Sequence, residues 1–144
     1  MAVNVSPVQL QQDDLMLNMK AALQASQIRA ERLFLEVTEG VLMKQIDKSV
    51  IMLRELAGWG VNIAIDDFGT GYSSLSYLTR LPVNTLKVDR SFVHDVPGNI
   101  HNAKVTQGIV ALGHSLGMRT VGEGVETTIQ EQFLRELGCG YAQG

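Results

Sequence analysis

The chain has 144 residues, of which 45% are hydrophobic and 19% charged, as in an ordinary single globular domain. Its formal net charge of −3 argues against a surface that binds DNA through bulk positive potential. No apolar run approaches the ~20 residues of a membrane span. The single cysteine, Cys139, excludes an internal disulfide and favours a reducing, cytoplasmic location.

Strand and helix patterns alternate along the whole chain. Strands are predicted over residues 2–5, 33–38, 61–66, 85–89 and 119–122, and a sixth strand begins within residues 138–141. Helices are predicted over residues 13–25, over the apolar series Ile46, Val50, Leu53 and Ala57, over residues 74–79, over the series Val105, Ile109, Leu112 and Leu116, and after a capping box at residues 127–130. This alternation predicts a parallel sheet covered by helices.

Polar residues recur at or just past the end of each predicted strand. They are Asn4, Glu36, Asp66 with Asp67, Lys87 with Asp89, Glu123, and Gln143. Six strands that present polar groups from the same end are typical of the catalytic face of a (β/α)8 TIM barrel, whereas an open sheet concentrates them at one switch point. The predicted fold is therefore α/β, of TIM-barrel type, truncated at both ends with about six of the eight strands present.

The most informative stretch follows the third strand, where Asp66 and Asp67 end an apolar run and a glycine-rich turn begins. Together with Glu36, Glu123 and the Asn4 side-chain carbonyl, they form a set of oxygen ligands that suits Mg²⁺ or Mn²⁺ rather than zinc. Two such ions clamp both oxygens of a phosphodiester during in-line displacement. Lys87 adds one cation for a phosphate oxygen or the attacking water. The pattern predicts a metal-assisted phosphodiesterase.

Six motifs carry a resemblance to a known family. They are Asn4-Val5-Ser6, Glu36-Val37-Thr38-Glu39, Asp66-Asp67-Phe68-Gly69-Thr70-Gly71-Tyr72-Ser73-Ser74-Leu75, Lys87-Val88-Asp89-Arg90-Ser91-Phe92, Glu123-Gly124-Val125-Glu126-Thr127, and Gln143-Gly144. In this order they resemble the EAL domains, which are bacterial cyclic di-GMP phosphodiesterases. The resemblance covers essentially the whole chain. It implies hydrolysis of cyclic di-GMP to linear pGpG by two-metal catalysis in a modified TIM barrel.

The resemblance also implies a role for each matching residue. Asn4, Glu36 and Asp66 match metal ligands, Asp67 lies near the second metal, Lys87 contacts the catalytic water, and Glu123 belongs to the metal centre. Gln143 lies close to that centre, and Gln143 and Asp89 are assigned to cofactor binding. The loop of residues 68–75 resembles one tied to dimerisation and activation, and Glu39, Phe68, Gly69, Thr70, Gly71 and Glu126 are assigned to its support.

One departure from the family limits these expectations. The Glu-Ala-Leu signature, whose glutamate is a metal ligand in the family, lies upstream of the Asn-x-Ser motif and is absent here. Residues 1–144 are therefore interpreted as a partial EAL domain, from the third strand to the start of the last, with no second domain. The isolated fragment is expected to be inactive and to self-associate as a homodimer or larger assembly, because open sheet edges pair readily.

Two alternatives stay open. The chain could be a regulatory EAL-like module that binds cyclic di-GMP or a protein without hydrolysis, although every metal-site residue of this window is retained. An unrelated divalent-metal barrel enzyme, such as an aldolase or an enolase-like lyase, fits the context of Asp66 and Asp67 poorly. A GGDEF-type or sensory domain in the parent chain is a further expected partner.

Overall fold

The computed structural model describes residues 1–11, 14–44, 46–71 and 75–144. Within these residues, six strands form one sheet in the order β1-β2-β3-β4-β5-β6, and every neighbouring pair is parallel. The strands are β1 (Ala2–Asn4), β2 (Phe34–Thr38), β3 (Asn62–Phe68), β4 (Thr85–Val88), β5 (Arg119–Glu123) and β6 (Tyr141–Gln143). The sheet curls into part of a barrel, so the predicted TIM-barrel type with six strands is confirmed.

Helices connect the strands and pack on the outside of the sheet. They are α1 (Pro7–Gln11), α2 (Leu15–Ser26), α3 (Glu39–Lys44), α4 (Ile46–Gly58), α5 (Leu75–Leu78), α6 (Arg90–Val93), α7 (Ile100–Ser115) and α8 (Thr128–Glu136), with a 3₁₀ turn at Ala30–Arg32. None of the helices in the described part of the chain has the length and apolar character that crossing a membrane requires.

Successive side chains along each strand point to opposite faces of the sheet. The outward face packs against the helices and forms the hydrophobic core. Its side chains are fully buried and include Leu35, Val37, Ile63, Leu86 and Val88. The other set of alternating residues lines a concave inner cavity of about 240 Å³ that includes Glu36, Ala64, Thr85, Lys87, Val121 and Gln143. Parallel strands buried on both faces read as nearly continuous apolar runs, so the charged residues on the inner face mark the functional side.

The structure corrects the predicted elements in several places. The short helices α1, α3 and α6 were not predicted, and α7 begins at Ile100, before the first apolar residue of its predicted series, Val105. The third strand was predicted to end at Asp66, but β3 continues to Phe68. Residue 13 of the first predicted helix and residue 74 of the third lie outside the described residues, as do residues 72–74 of the loop that follows β3.

The capping box predicted at the start of the last helix is confirmed. The Thr127 side chain accepts a hydrogen bond from the Gln130 amide, and the Gln130 side chain accepts one from the Thr127 amide. These two bonds satisfy amides that the first turn of a helix leaves without a partner, and they fix α8 directly after β5.

Candidate metal centre

Asp66 and Asp67 lie inside β3, at a β-bulge. Ile65 pairs with Leu86 and Phe68 with Val88, so three residues of β3 advance against two of β4. Asp67 is the extra residue and has a φ of 52°, a left-handed conformation that Asp tolerates better than most residues do. The bulge returns Phe68 to the buried core, where it is 5% exposed. Two consecutive carboxylates can therefore reach the same site.

Lys87 lies among carboxylates from three strands. Its Nζ is 3.1 Å from Glu36 Oε2, 3.1 Å from Asp66 Oδ1 and 2.5 Å from Glu123 Oε1. The Lys87 side chain is 6% exposed, and those of Glu36, Asp66 and Glu123 are 12, 14 and 19% exposed. The curl of the sheet thus brings four residues that are distant in sequence into one buried ionic cluster.

The charge state of Lys87 follows from these contacts. Burial by itself would lower the pKa of Lys87, but hydrogen bonds to Glu123, Glu36 and Asp66 outweigh burial and raise the pKa above its ordinary value. Lys87 is therefore an ammonium ion at any physiological pH. It can donate hydrogen bonds, and it cannot accept a proton.

A second carboxylate pair joins β3 to the start of α6. Asp89 is the N-cap of α6 and accepts hydrogen bonds from the Ser91 amide, at 2.9 Å, and from the Ser91 hydroxyl. Burial would raise the pKa of Asp89, but these bonds and one from Asp67 lower it. Burial, the charge of Asp66 and the bond to Asp89 raise the pKa of Asp67. Asp67 is therefore the weaker acid of the pair.

The arrangement fits a divalent cation. Single carboxylate oxygens of Asp66, Asp67 and Glu123 all lie within 4.8 Å of one another. Burial, together with the charge of Asp66, raises the pKa of Glu123 despite its bond to Lys87. One ammonium therefore leaves the carboxylates undercompensated, and a hard cation such as Mg²⁺ or Mn²⁺ would supply the missing positive charge.

Asn4 and Gln143 lie at the ends of the two outer strands. Asn4 is next to Glu36 in the β1–β2 register, and Gln143 is next to Glu123 in the β5–β6 register. Both residues are exposed. Gln143 shares the lining of the inner cavity with Glu36 and Lys87. The structure thus brings the predicted metal-site residues to one end of the sheet, with Asn4 and Gln143 at its rim.

The loop after β3 is held from beneath by Glu39. The Glu39 side chain is buried, and its carboxylate accepts a hydrogen bond of 3.3 Å from the Gly69 amide. Gly69 has a φ of +100°, and a Cβ there would lie 2.9 Å from Ile109 Cδ1, so only glycine fits. The Thr70 hydroxyl donates to the Asp67 carbonyl at 2.9 Å. These contacts link the loop directly to the bulge.

The remaining loop-support residues differ in their contacts. A Cβ on Gly71 would lie 3.4 Å from the Glu39 carboxylate. The Glu126 side chain is exposed, and its amide donates to Gln130 Oε1 at 2.8 Å. Ser91 and Gln130 were not assigned a role at the site from sequence. The Asp-x-Ser pattern at residues 89–91 is a helix-capping signal that could have indicated the Ser91 contact.

Comparisons with known proteins agree with this geometry. A family model described as EAL domain matches residues 1–144. The bifunctional diguanylate cyclase/cyclic di-GMP phosphodiesterase MucR of Pseudomonas aeruginosa is 45% identical over 143 residues, which are 99% of this chain and 21% of MucR. The chain therefore spans about a fifth of the length of this curated relative.

Solved structures resemble the chain closely. The PaMucR phosphodiesterase in complex with c-di-GMP has a TM-score of 0.96 at 45% identity, and the match covers 99% of this chain and 58% of that one. A manganese/cy-diGMP complex of Klebsiella pneumoniae BlrP1 has a TM-score of 0.85 at 33% identity, and the match covers 95% of this chain and 35% of that one.

Proposed function

The chain belongs to the EAL domain family, and we propose that in the full-length protein it supplies most of the active site of a cyclic di-GMP phosphodiesterase. The reaction is hydrolysis of cyclic di-GMP to linear pGpG. The observation that carries the proposal is the cluster of Lys87 with Glu36, Asp66 and Glu123 at one end of a curled parallel sheet. Buried, undercompensated carboxylates at the ends of barrel strands are typical of metal-dependent catalysis.

Two metal ions complete the proposed site. Asn4, Glu36, Asp66 and Glu123 would hold one ion. Asp67, whose carboxylate lies close to those of Asp66 and Glu123, would contribute to a second. Bound Mg²⁺ or Mn²⁺ supplies Lewis-acid stabilisation of the phosphate and a water of lowered pKa. The manganese in the BlrP1 complex supports this metal class.

The protein's own groups supply orientation and charge. Lys87 stays protonated, so its role is to donate hydrogen bonds to the attacking water or to a phosphate oxygen. Asp89 orients Asp67 through their hydrogen bond, and the two Ser91 donors hold Asp89. Gln143, at the rim of the cavity, is placed to contact the bound dinucleotide.

The domain proposal follows from the family. Residues 1–144 form part of an EAL domain, and the Glu-Ala-Leu segment that supplies a further ligand belongs upstream of Asn4. A GGDEF-type or sensory domain in the same protein, a cytoplasmic location and self-association through the loop after β3 are parts of the same proposal. MucR, a relative with both cyclase and phosphodiesterase activities in its name, supports the multidomain arrangement.

The test uses the full-length protein with cyclic di-GMP, and pGpG is quantified by chromatography. We expect product with Mg²⁺ or Mn²⁺ and none with EDTA, and Glu36→Gln should reduce turnover by about 100-fold. Glu55→Gln, which changes an exposed glutamate of α4, is the matched control and should leave turnover unchanged. Hydrolysis that persists in EDTA would exclude metal catalysis, and tight binding without hydrolysis would instead favour the regulatory alternative.

A further inference from the structure

The loop that follows Glu123, residues 124–127, is fixed to its surroundings at several points. Gly124 has a φ of +65° and packs so closely on α6 that a Cβ there would lie 2.7 Å from Arg90 Cβ. The Val125 amide donates to the Gln143 carbonyl at 3.0 Å. The segment that carries Glu123 out of β5 is therefore held against α6 on one side and the end of β6 on the other.

Gln130 makes the most complete of these attachments. The residue is 4% exposed. Its side-chain Oε1 accepts hydrogen bonds from the backbone amides of Glu126 and Thr127 at 2.8 and 2.9 Å. Its backbone amide donates to Thr127 Oγ1 at 3.3 Å. Its Nε2 donates to the His94 carbonyl at 2.6 Å. One buried side chain thus satisfies groups from two separate segments of the chain.

These bonds divide into two kinds with different chemical requirements. The bonds to Thr127 form an ordinary capping box, for which a carboxylate is as suitable as an amide. The bond to His94 needs an N–H donor, which a carboxylate lacks. His94 directly follows α6, and the N-cap of α6 is Asp89, the partner of Asp67. The side-chain amide of Gln130 therefore connects the loop of residues 124–127 to α6, whose N-cap Asp89 contacts Asp67.

We propose that Gln130 is a positioning residue for the metal centre: its amide fixes the loop after Glu123 to α6 and so sets the separation between the carboxylates of Glu123 and Asp67. The inference rests on the proposed function, because it takes both carboxylates as metal ligands. A glutamine that served only as a helix cap would not need its Nε2 bond to a carbonyl 36 residues away in sequence.

The deciding variant is Gln130→Glu, which retains both acceptors of the capping box and replaces the donor that faces His94 by an acceptor. We expect the Mn²⁺ dissociation constant of the full-length protein, measured by isothermal titration calorimetry, to rise about tenfold. Gln130→Asn retains the amide but is one methylene too short to reach both segments, and it should weaken Mn²⁺ binding similarly. This second variant decides the question if Gln130→Glu does not fold.

The matched control is Thr127→Ala, which removes the cap oxygen and leaves the bond to His94. It should lower Tm by about 3 °C and leave the Mn²⁺ dissociation constant unchanged. Unchanged Mn²⁺ affinity in Gln130→Glu or in Gln130→Asn would overturn the proposal. So would a loss of Mn²⁺ affinity in Thr127→Ala as large as that in the Gln130 variants. A wild-type protein that binds Mn²⁺ but does not hydrolyse cyclic di-GMP would refute the proposed function alone.

Discussion

Lys87 is the residue on which the ionic cluster of the site depends most. Three carboxylates, each from a different strand, contact the Lys87 ammonium, and the Lys87 side chain is only 6% exposed. Removing one partner of a buried ionic group leaves uncompensated charge, which costs more than the interaction itself contributes. In this site the same positive charge can also come from a bound divalent ion, so the consequence of losing Lys87 should depend on metal.

We predict that Lys87→Met lowers the free energy of unfolding by about 3 kcal/mol in EDTA. With saturating Mn²⁺ the deficit should become smaller, because the ion neutralises the same carboxylates. Urea unfolding under the two conditions measures both values. Arg80→Met is the control: Arg80 pairs with Asp47 at 3.0 Å on the surface, where the two side chains are 50 and 79% exposed. That change should cost less than about 1 kcal/mol with or without Mn²⁺; equal deficits for Lys87→Met in both buffers would contradict this account.

For single residues, the sequence predicts which side chains belong to the site better than it predicts the hydrogen bonds they make. Glu36, Asp66, Lys87 and Glu123 could be found because a parallel sheet brings all strand ends to one edge. The hydrogen bonds of Ser91 to Asp89 and of Gln130 to His94 could not, because they depend on how two loops pack against each other. Polar residues whose partners lie in another element leave no periodic signal in the sequence.

Among the elements, β3 departs most from regular geometry. The Asp67 bulge places both aspartates at the site, and it was not predicted because a bulge is defined by the register with a neighbouring strand. A signal was nevertheless present in the sequence: the large apolar residues Ile63, Ile65 and Phe68 are separated by two and then three positions. Strict alternation would repeat every two residues, so the extra position indicates one inserted residue.

We predict that the bulge favours residues that tolerate a positive φ. In EDTA, Asp67→Gly should be at least as stable as the wild type, whereas Asp67→Ala should be less stable than Asp67→Gly by about 1 kcal/mol. The order should be reversed at Glu55, an exposed helical residue of α4, where Gly is worse than Ala by up to about 1 kcal/mol. Denaturant unfolding of the four variants measures these differences. If Asp67→Ala were more stable than Asp67→Gly, the backbone of the bulge would not be strained.

Short helices were missed for a related reason. The helix α6 has four residues and begins at the Asp89 cap, and α3 has six residues and begins at Glu39 directly after β2. Segments of this length show less than two turns of periodicity, so capping and tertiary contacts determine them. The longer α4 and α7 were predicted from their apolar spacing.

Helix α7 offers an internal comparison of one substitution at two sites. A Cβ on Gly108 would meet nothing within 4 Å, whereas a Cβ on Gly113 would overlap Thr120 Cγ2 on the adjacent β5. Gly108→Ala should therefore stabilise the protein by up to about 1 kcal/mol, and Gly113→Ala should destabilise it by about 2 kcal/mol. Adding Thr120→Ser, which removes the obstructing methyl group, should recover part of the second loss. Thermal unfolding measures these differences, and a stabilising Gly113→Ala would disprove the close packing of α7 on β5.

For the whole molecule, the open ends of the sheet decide what the chain can do alone. The outer strands β1 and β6 each pair on one side within the described sheet, and every residue of β6 is exposed. The inner cavity is lined on this side by Tyr141, which is 57% exposed, and by Gln143.

We predict that residues 1–144 expressed alone produce no pGpG above the background of an EDTA-treated sample, and that they self-associate through the free edges of β1 and β6. Unpaired strand edges template pairing with other chains, and a lysine on an edge opposes that pairing. Ala142→Lys on β6 should therefore shift sedimentation towards the monomer, whereas Ala111→Lys on the exposed face of α7 should not. Neither change should produce hydrolysis, because neither adds a ligand to the metal site. A monomeric, active 144-residue chain would mean that six strands suffice for the site.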